Sequence, residues 1–243
     1  MKTVIKLGAV VLVAAAAGMF LMRNSGPQSE TPTASTPPAE AGPVNGVDVS
    51  HYQGDVDWAK VAAVGYAFAF VKAAQGDSGG DSEFDRNWQD MKTAGILRGA
   101  YDFYDVGQNP TTQARNFISK VTLIKGDLPP VVDIETMNGS SESNNHVIAD
   151  LHSYLKTLKD HYGVAPIIYT GPSFWNAHFD DSFSDYALWV AEYGVSKPKA
   201  VTGWTVWSFW QYSTNGDVPG INGDVDLDRF NGGLDQLRKF LIK

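Results

Sequence analysis

The sequence predicts an α/β fold, a closed β/α barrel whose second half has lost most of its helices. Five apolar, β-rich segments alternate with helical ones between residue 46 and about residue 176, the rhythm of a parallel sheet with crossover helices. Three more strand-like segments follow with little helix between them, and eight strands is a number that closes a sheet on itself. Four acids (Asp48, Asp133, Glu135 and Asp226) lie in three of these strands. In such barrels the working residues gather at the C-terminal ends of the strands.

Residues 46–50 (GVDVS) form the first strand, which ends in a turn at residues 51–54 (HYQG). Residues 57–64 read as a helix with Asp57 as its N-cap and Gly65 as its stop. Residues 66–73 (YAFAFVKA) are nearly continuously apolar, as expected of a strand covered on both faces. Residues 82–94 are helical and closed by Gly95, residues 96–104 (ILRGAYDFY) make the third strand, and residues 110–121 the third helix. The fourth strand is 131–135 (VVDIE), introduced by Pro129 and Pro130 and followed by a long helix over about 144–161. Residues 165–170 (APIIYT) are the fifth strand, and a helix starts at Pro172. Residues 186–192, 205–212 and 224–230 supply the last three strands, and 234–241 a final helix.

Residues 1–45 have a different character. A basic start with Lys2 and Lys6 precedes an apolar run from Leu7 to Met22, the pattern of a signal peptide or an N-terminal membrane anchor. Ala14 to Ala17 before Gly18 is the best cleavage candidate. Counted from Val4, the run nears the lower limit of ~17 residues for a span, so an uncleaved anchor competes with cleavage. Residues 23–45, rich in Pro, Ser, Thr, Ala and Glu, read as a flexible linker. Either way residues 46–243 are expected to be exported to the periplasm or the cell exterior, with residues 4–22 as the tether if they are retained.

The chain has 243 residues, no cysteine and a formal net charge of −8. The missing cysteine excludes thiol nucleophiles, zinc–thiolate sites and disulfides. The acidic balance and the lack of a Lys/Arg run argue against nucleic acid as a partner. The five histidines have no metal-binding spacing, and neither a G-x-S-x-G elbow nor a phosphate-cradling glycine loop occurs. Neither a metal nor a cofactor is expected. The acids could hold a hard cation in principle, at well under one chance in ten. Seven Trp, ten Tyr and twelve Phe suit a domain that stacks flat ligand faces, although most aromatics fill cores.

The informative stretch is 128–135 (LPPVVDIE). Side chains alternate along a strand, so Asp133 and Glu135 share a face, about 6–7 Å apart along the backbone. Two acids on one face of an apolar strand are costly, and each raises the proton affinity of the other, which can keep a carboxyl protonated for acid catalysis. An isolated D-x-E more often belongs to a structural ion pair, at roughly three to one. Here the only obvious cation nearby in the pattern is Lys72, and in a closed barrel the acids of three strands are expected to converge on one mouth.

The chain resembles the family 25 glycoside hydrolases, the Chalaropsis-type lysozymes. The matching stretches are GVDVSHYQG (46–54), FVKAAQG (70–76), GAYDFY (99–104), PPVVDIE (129–135), PIIYTG (166–171), ALWVAEY (187–193), WSFWQYS (207–213) and GDVDLDRFNG (223–232), together with Phe84, Asn87, Ala94 and Gly95. They run in order through almost all of residues 46–232. The resemblance implies a modified TIM-like (β/α)5(β)3 barrel and muramidase activity, hydrolysis of the β-1,4 bond between N-acetylmuramic acid and N-acetylglucosamine in peptidoglycan. It implies Glu135 as general acid, Asp133 as its partner at the substrate acetamido group, and Asp48 and Asp226 as outer acids. Asp228, offset by two residues, is expected to be a loop contact. Tyr101, Tyr169, Trp189 and Trp210 match substrate-lining positions, with core packing as the alternative for each; Lys72 is expected either to hydrogen-bond the sugar or to balance the carboxylates, and Asp102 to join the substrate-binding set. Asp102 stands where many relatives have His, and Glu192 where they have Gln, so both are expected to add negative charge near the mouth. An oxocarbenium-like transition state needs ionised carboxylates beside one protonated acid, while the residues leave open what attacks in the second step. The implied partner is the glycan strand, with the membrane touched only through the N-terminal segment and the protein a monomer.

Two other readings compete. Chitinase-like barrels also end a strand in D-x-E but carry further acids upstream on it, and residues 128–132 have none. A catalytically silent wall-binding module would have no need of a strained pair of carboxylates.

Overall fold

The structure, a computed structural model, describes residues 42–243. The expected signal or anchor and nearly all of the linker lie outside the described residues. The chain forms strands β1 (Val44–Val49), β2 (Phe68–Gln75), β3 (Gly79–Gly80), β4 (Leu97–Phe103), β5 (Val131–Asp133), β6 (Ile167–Thr170), β7 (Ala187–Ala191), β8 (Phe209–Gly216) and β9 (Val225–Phe230). Its helices are α1 (Trp58–Ala63), α2 (Phe84–Thr93), α3 (Pro110–Lys120), α4 (Asn144–Tyr162), α5 (Pro172–His178) and α6 (Leu234–Phe240). Every expected element is present, with ends shifted by up to four residues. The first strand starts at Val44, inside the stretch read as linker. The two-residue β3, a hairpin partner of β2, has no counterpart in the sequence reading.

Local signals set the helix ends. Asp57 caps α1, its side chain accepting from the Lys60 N–H at 3.2 Å. Asn109 caps α3 in the same way through the Thr112 N–H at 3.0 Å, with Pro110 in the first turn, where no N–H is missed. Gly163 ends α4 at φ 73°, a backbone conformation that costs a residue with a Cβ.

The sheet closes through the β1–β2 pair into an eight-stranded barrel in the order β1-β9-β8-β7-β6-β5-β4-β2, with β3 outside the ring. Seven strands run parallel. The exception is β9, antiparallel to both β8 and β1. It therefore descends from the mouth, so that its first residues, and not its last, stand level with the C-terminal ends of the others.

Two apolar layers hold the barrel. Inside it, Phe68, Phe70, Val131, Ile167, Phe209 and Phe230 pack against one another, and Leu237 of α6 closes the bottom. The phenylalanines fit because their neighbours are glycines. A Cβ on Gly46 would lie 2.4 Å from the Phe68 ring, and one on Gly99 2.4 Å from that of Phe70. The outer layer packs the alternate strand residues, such as Val47, Val71, Val132, Ile168 and Val190, against the helices. Among the described residues no helix is long and apolar enough to cross a membrane.

Candidate active site

Strand alternation decides which acids meet. Asp48 is the next-to-last residue of β1 and faces Asp226, the second residue of β9, in the antiparallel ladder. Asp133 ends β5, and the Ile134 N–H continues the ladder by donating to the Tyr169 carbonyl at 3.1 Å, which carries Glu135 onto the rim. All four acids line one cleft of about 220 Å³ at the barrel mouth, with Lys72, Tyr101, Tyr169 and Trp189. Eight of the ten expected site residues are thus brought together.

The other two are turned away. Asp102 lies between the cleft residues Tyr101 and Phe103 but on the opposite face of β4. It is fully buried and accepts from the Tyr154 hydroxyl of α4 at 2.7 Å. Trp210 also belongs to the outer layer, and its Nε1 donates to the Glu192 carbonyl at 2.8 Å. The reason in both cases is the period-two alternation of a strand: β8 sends Phe209 and Gln211 inward, so Trp210 must point out. Nor does Glu192 add free charge to the mouth, since its carboxylate pairs with Lys199 at 2.8 Å and accepts from the Lys199 N–H at 2.6 Å.

Asp228 is not a loop contact. It lies within β9, fully buried inside the barrel, and accepts from Trp189 Nε1 at 2.8 Å. Six cleft residues escaped the sequence reading: Gln211, Phe103, Tyr52, Gln53, Val49 and Ser50. Phase along the strand would have given the first two, as Phe103 follows Tyr101 by two residues and Gln211 follows the inward Phe209. Tyr52 projects from a 3-10 turn (His51–Gln53) with 82% of its surface exposed. Its ring lies 4.1 Å from that of His51, which Asp81 holds through Nδ1 at 2.8 Å.

A chain of hydrogen bonds crosses the floor. The Tyr169 and Tyr193 hydroxyls donate to Gln211 Oε1 at 2.8 and 2.5 Å, and Gln211 Nε2 donates to Asp48 Oδ2 at 2.6 Å. Trp189 stacks on Phe70 at 4.4 Å and meets Tyr169 edge-on at 4.6 Å, which makes the floor rigid. Lys72 donates to Gln75 at 2.8 Å and lies over the Phe103 ring at 4.9 Å.

Burial dominates the electrostatics, because a desolvated carboxylate prefers its neutral form. It pushes Asp133 well above the usual carboxylate range, the Glu135 charge adds to this, and Lys72 opposes it. Glu135 is also raised by the cleft walls around it, against the pull of Lys72, although its side chain reaches solvent. Burial lifts Asp48 strongly, with further upward pushes from Asp228 and Asp226, and lifts Asp226 to about 6. Among the described residues no group of three or more His, Cys, Asp or Glu has metal-binding geometry. A proton-holding carboxyl at the rim, a buried acid two residues before it and further acids across the cleft make the outfit of a glycosidase.

The comparisons with known proteins agree. The model of glycosyl hydrolases family 25 matches residues 47–221, and the chain belongs to that family; it is a glycoside hydrolase. Lysozyme M1 of Streptomyces globisporus is 35% identical over 211 residues, covering 82% of this chain and 72% of the relative. The N,O-diacetylmuramidase of Chalaropsis sp is 28% identical, covering 81% of this chain and 98% of that protein. The bacterial lysozyme of Streptomyces coelicolor superposes with a TM-score of 0.79 at 34% identity, covering 82% of this chain and 97% of that one.

Proposed function

We propose that the protein is a muramidase that hydrolyses the β-1,4 bond between N-acetylmuramic acid and N-acetylglucosamine in bacterial peptidoglycan. The observation that carries this reading is the position of Glu135, a solvent-reaching carboxyl with raised proton affinity at the rim of a cleft whose floor holds Asp133, Asp48 and Asp226. Family membership and the lysozyme and muramidase relatives support the substrate class. Glu135 protonates the glycosidic oxygen as the bond to the anomeric carbon breaks. Asp133, desolvated and neutral, is suited to hydrogen-bond the acetamido group of the sugar and hold it beside the reaction centre. Ionised Asp226 faces the positive charge that develops on the ring. Trp189 and Tyr169 form the floor on which the sugar rests, and Tyr52 offers it an exposed aromatic face. The substrate lies outside the cytoplasm, so the enzyme acts in the periplasm or beyond the cell.

The test is digestion of purified peptidoglycan, borohydride reduction and mass spectrometry of the fragments. Reduced muramic acid ends are expected, and reduced glucosamine ends would refute the assigned bond. Glu135→Gln keeps the shape and removes the transferable proton. Turnover is expected to fall by about 10²–10⁴-fold, the usual worth of general acid catalysis, while co-sedimentation with walls is unchanged. Retained turnover would remove Glu135 from its role.

A further inference from the structure

The mechanism above makes no use of Asp228, a fifth acid buried in the barrel directly beneath the cleft. In the β1–β9 ladder Asp226 faces Asp48, and Asp228 faces Gly46, one inward position deeper. Asp228 Oδ1 accepts from Trp189 Nε1 at 2.8 Å. Among the described residues no N–H or hydroxyl group reaches its Oδ2. Asp48 is its diagonal neighbour in the ladder; burial raises Asp228 above the usual carboxylate range, and a bond from the Asp48 carboxyl pulls it back. A buried carboxylate oxygen without a donor is costly, and a proton shared with a neighbouring acid removes that cost.

The neighbours determine which acid holds the proton. Gln211 Oε1 is occupied by two hydroxyl donors, Tyr169 and Tyr193, so its amide can only turn Nε2 toward Asp48, whose Oδ2 accepts at 2.6 Å. The Asp48 carboxyl also interacts with both acids of β9, Asp226 and Asp228. The charged and titratable groups around this cluster are Asp226 on the same strand, Tyr101 on β4, Asp133 and Glu135 at the end of β5, Tyr169 on β6 and Tyr193 beyond β7. Lys72 acts on Asp133 and Glu135, which leaves the β9 acids to be balanced by protons.

We propose that Asp228 is a positioning residue of the active site: its carboxylate accepts a hydrogen bond from protonated Asp48, holds that acid neutral in one orientation, and leaves Asp226 as the carboxylate offered to the sugar. The proposal rests on the glycosidase reading of the cleft and deepens it. Trp189 then has two tasks, a wall for the substrate on one side and a clamp on Asp228 through its indole N–H.

The test uses the full chain and Asp228→Asn, which can still accept from Trp189 but carries no charge. Two readouts separate this inference from the function itself. In the first, ¹³C-carboxyl NMR follows the aspartates of the cluster. Asp228 is one of the groups that raise Asp48, so a neutral side chain in its place is expected to lower the titration step of Asp48 by about one unit or more. In the second, the acid limb of kcat/KM on peptidoglycan leaves its wild-type position, with kcat down about tenfold and KM within about twofold. A folded variant with the wild-type titration step and acid limb would overturn the proposal. If Asp228→Asn does not fold, the wild type decides. An Asp48 carboxyl still protonated above pH 7 supports the proposal, and one ionised at pH 7 overturns it. A wild type that titrates as expected yet releases no muramic acid ends would refute the assigned reaction and leave the proton arrangement standing.

Discussion

Asp102→Asn separates a buried structural acid from the catalytic set. Asp102 is fully buried behind β4, with one oxygen on the Tyr154 hydroxyl at 2.7 Å and the other, Oδ1, without a hydrogen-bond partner among the described residues. Burial, the leading cause, pushes its pKa well above the usual value, while the Tyr154 bond and Lys72 pull the other way. For an acid raised in this way, the native state binds the proton more tightly than the unfolded chain does. Its stabilising contribution is complete below the unfolded pKa of ~3.9 and is lost as pH rises toward the folded pKa. One proton changes stability by at most ~1.4 kcal/mol per pH unit. Between pH 5 and 7 the wild type should therefore lose up to ~2.7 kcal/mol relative to Asp102→Asn, about 5–11 °C in Tm for a domain of this size. The other raised acids are common to both proteins and cancel in the difference. Asparagine is isosteric and neutral, and its carbonyl can still accept from Tyr154. Calorimetry from pH 4 to 8 gives the two slopes, and turnover per folded molecule should stay within about twofold. Parallel slopes would refute the assignment of a protonated Asp102. A tenfold loss of kcat at unchanged stability would return Asp102 to the site.

Lys72 lowers both Asp133 and Glu135, so Lys72→Met should raise both and move the basic limb of the pH–rate profile upward by about one unit; an unmoved limb would show that Lys72 does not act on the acid. Tyr52 is 82% exposed and lines the cleft. Tyr52→Ala should raise KM for soluble glycan fragments about three- to tenfold, with kcat unchanged and stability within about 0.5 kcal/mol. An unaltered KM would exclude Tyr52 as a sugar platform.

The periodicity of apolar residues placed every barrel strand and every helix, because burial on both faces of a parallel sheet writes itself as a continuous apolar run. What it could not reveal is direction. The final strand, residues 224–230, reads the same whether it ascends or descends, and only its ladders with β8 and β1 show that it runs antiparallel. This is why Asp226, early in its strand, stands at the same mouth as Asp133, late in its own. The comparison of Tyr101 with Asp102, and of Trp210 with Gln211, carries a second lesson. The resemblance singled out the acid and the tryptophan as substrate-lining residues, but inward or outward is a matter of phase, and a one-residue shift sends a side chain to the opposite layer.

From residue identity and spacing alone follow the barrel, the D-x-E pair on one face of a strand and the likeness to family 25, since these depend on local pattern and short-range order. The tertiary structure alone decides the partnerships: Glu192 with Lys199, Asp102 with Tyr154, and Asp228 with Trp189, 39 residues away in the chain. Proton affinities follow those partners and the water they exclude, and neither belongs to any single stretch of sequence. Long-range closure of the barrel creates both.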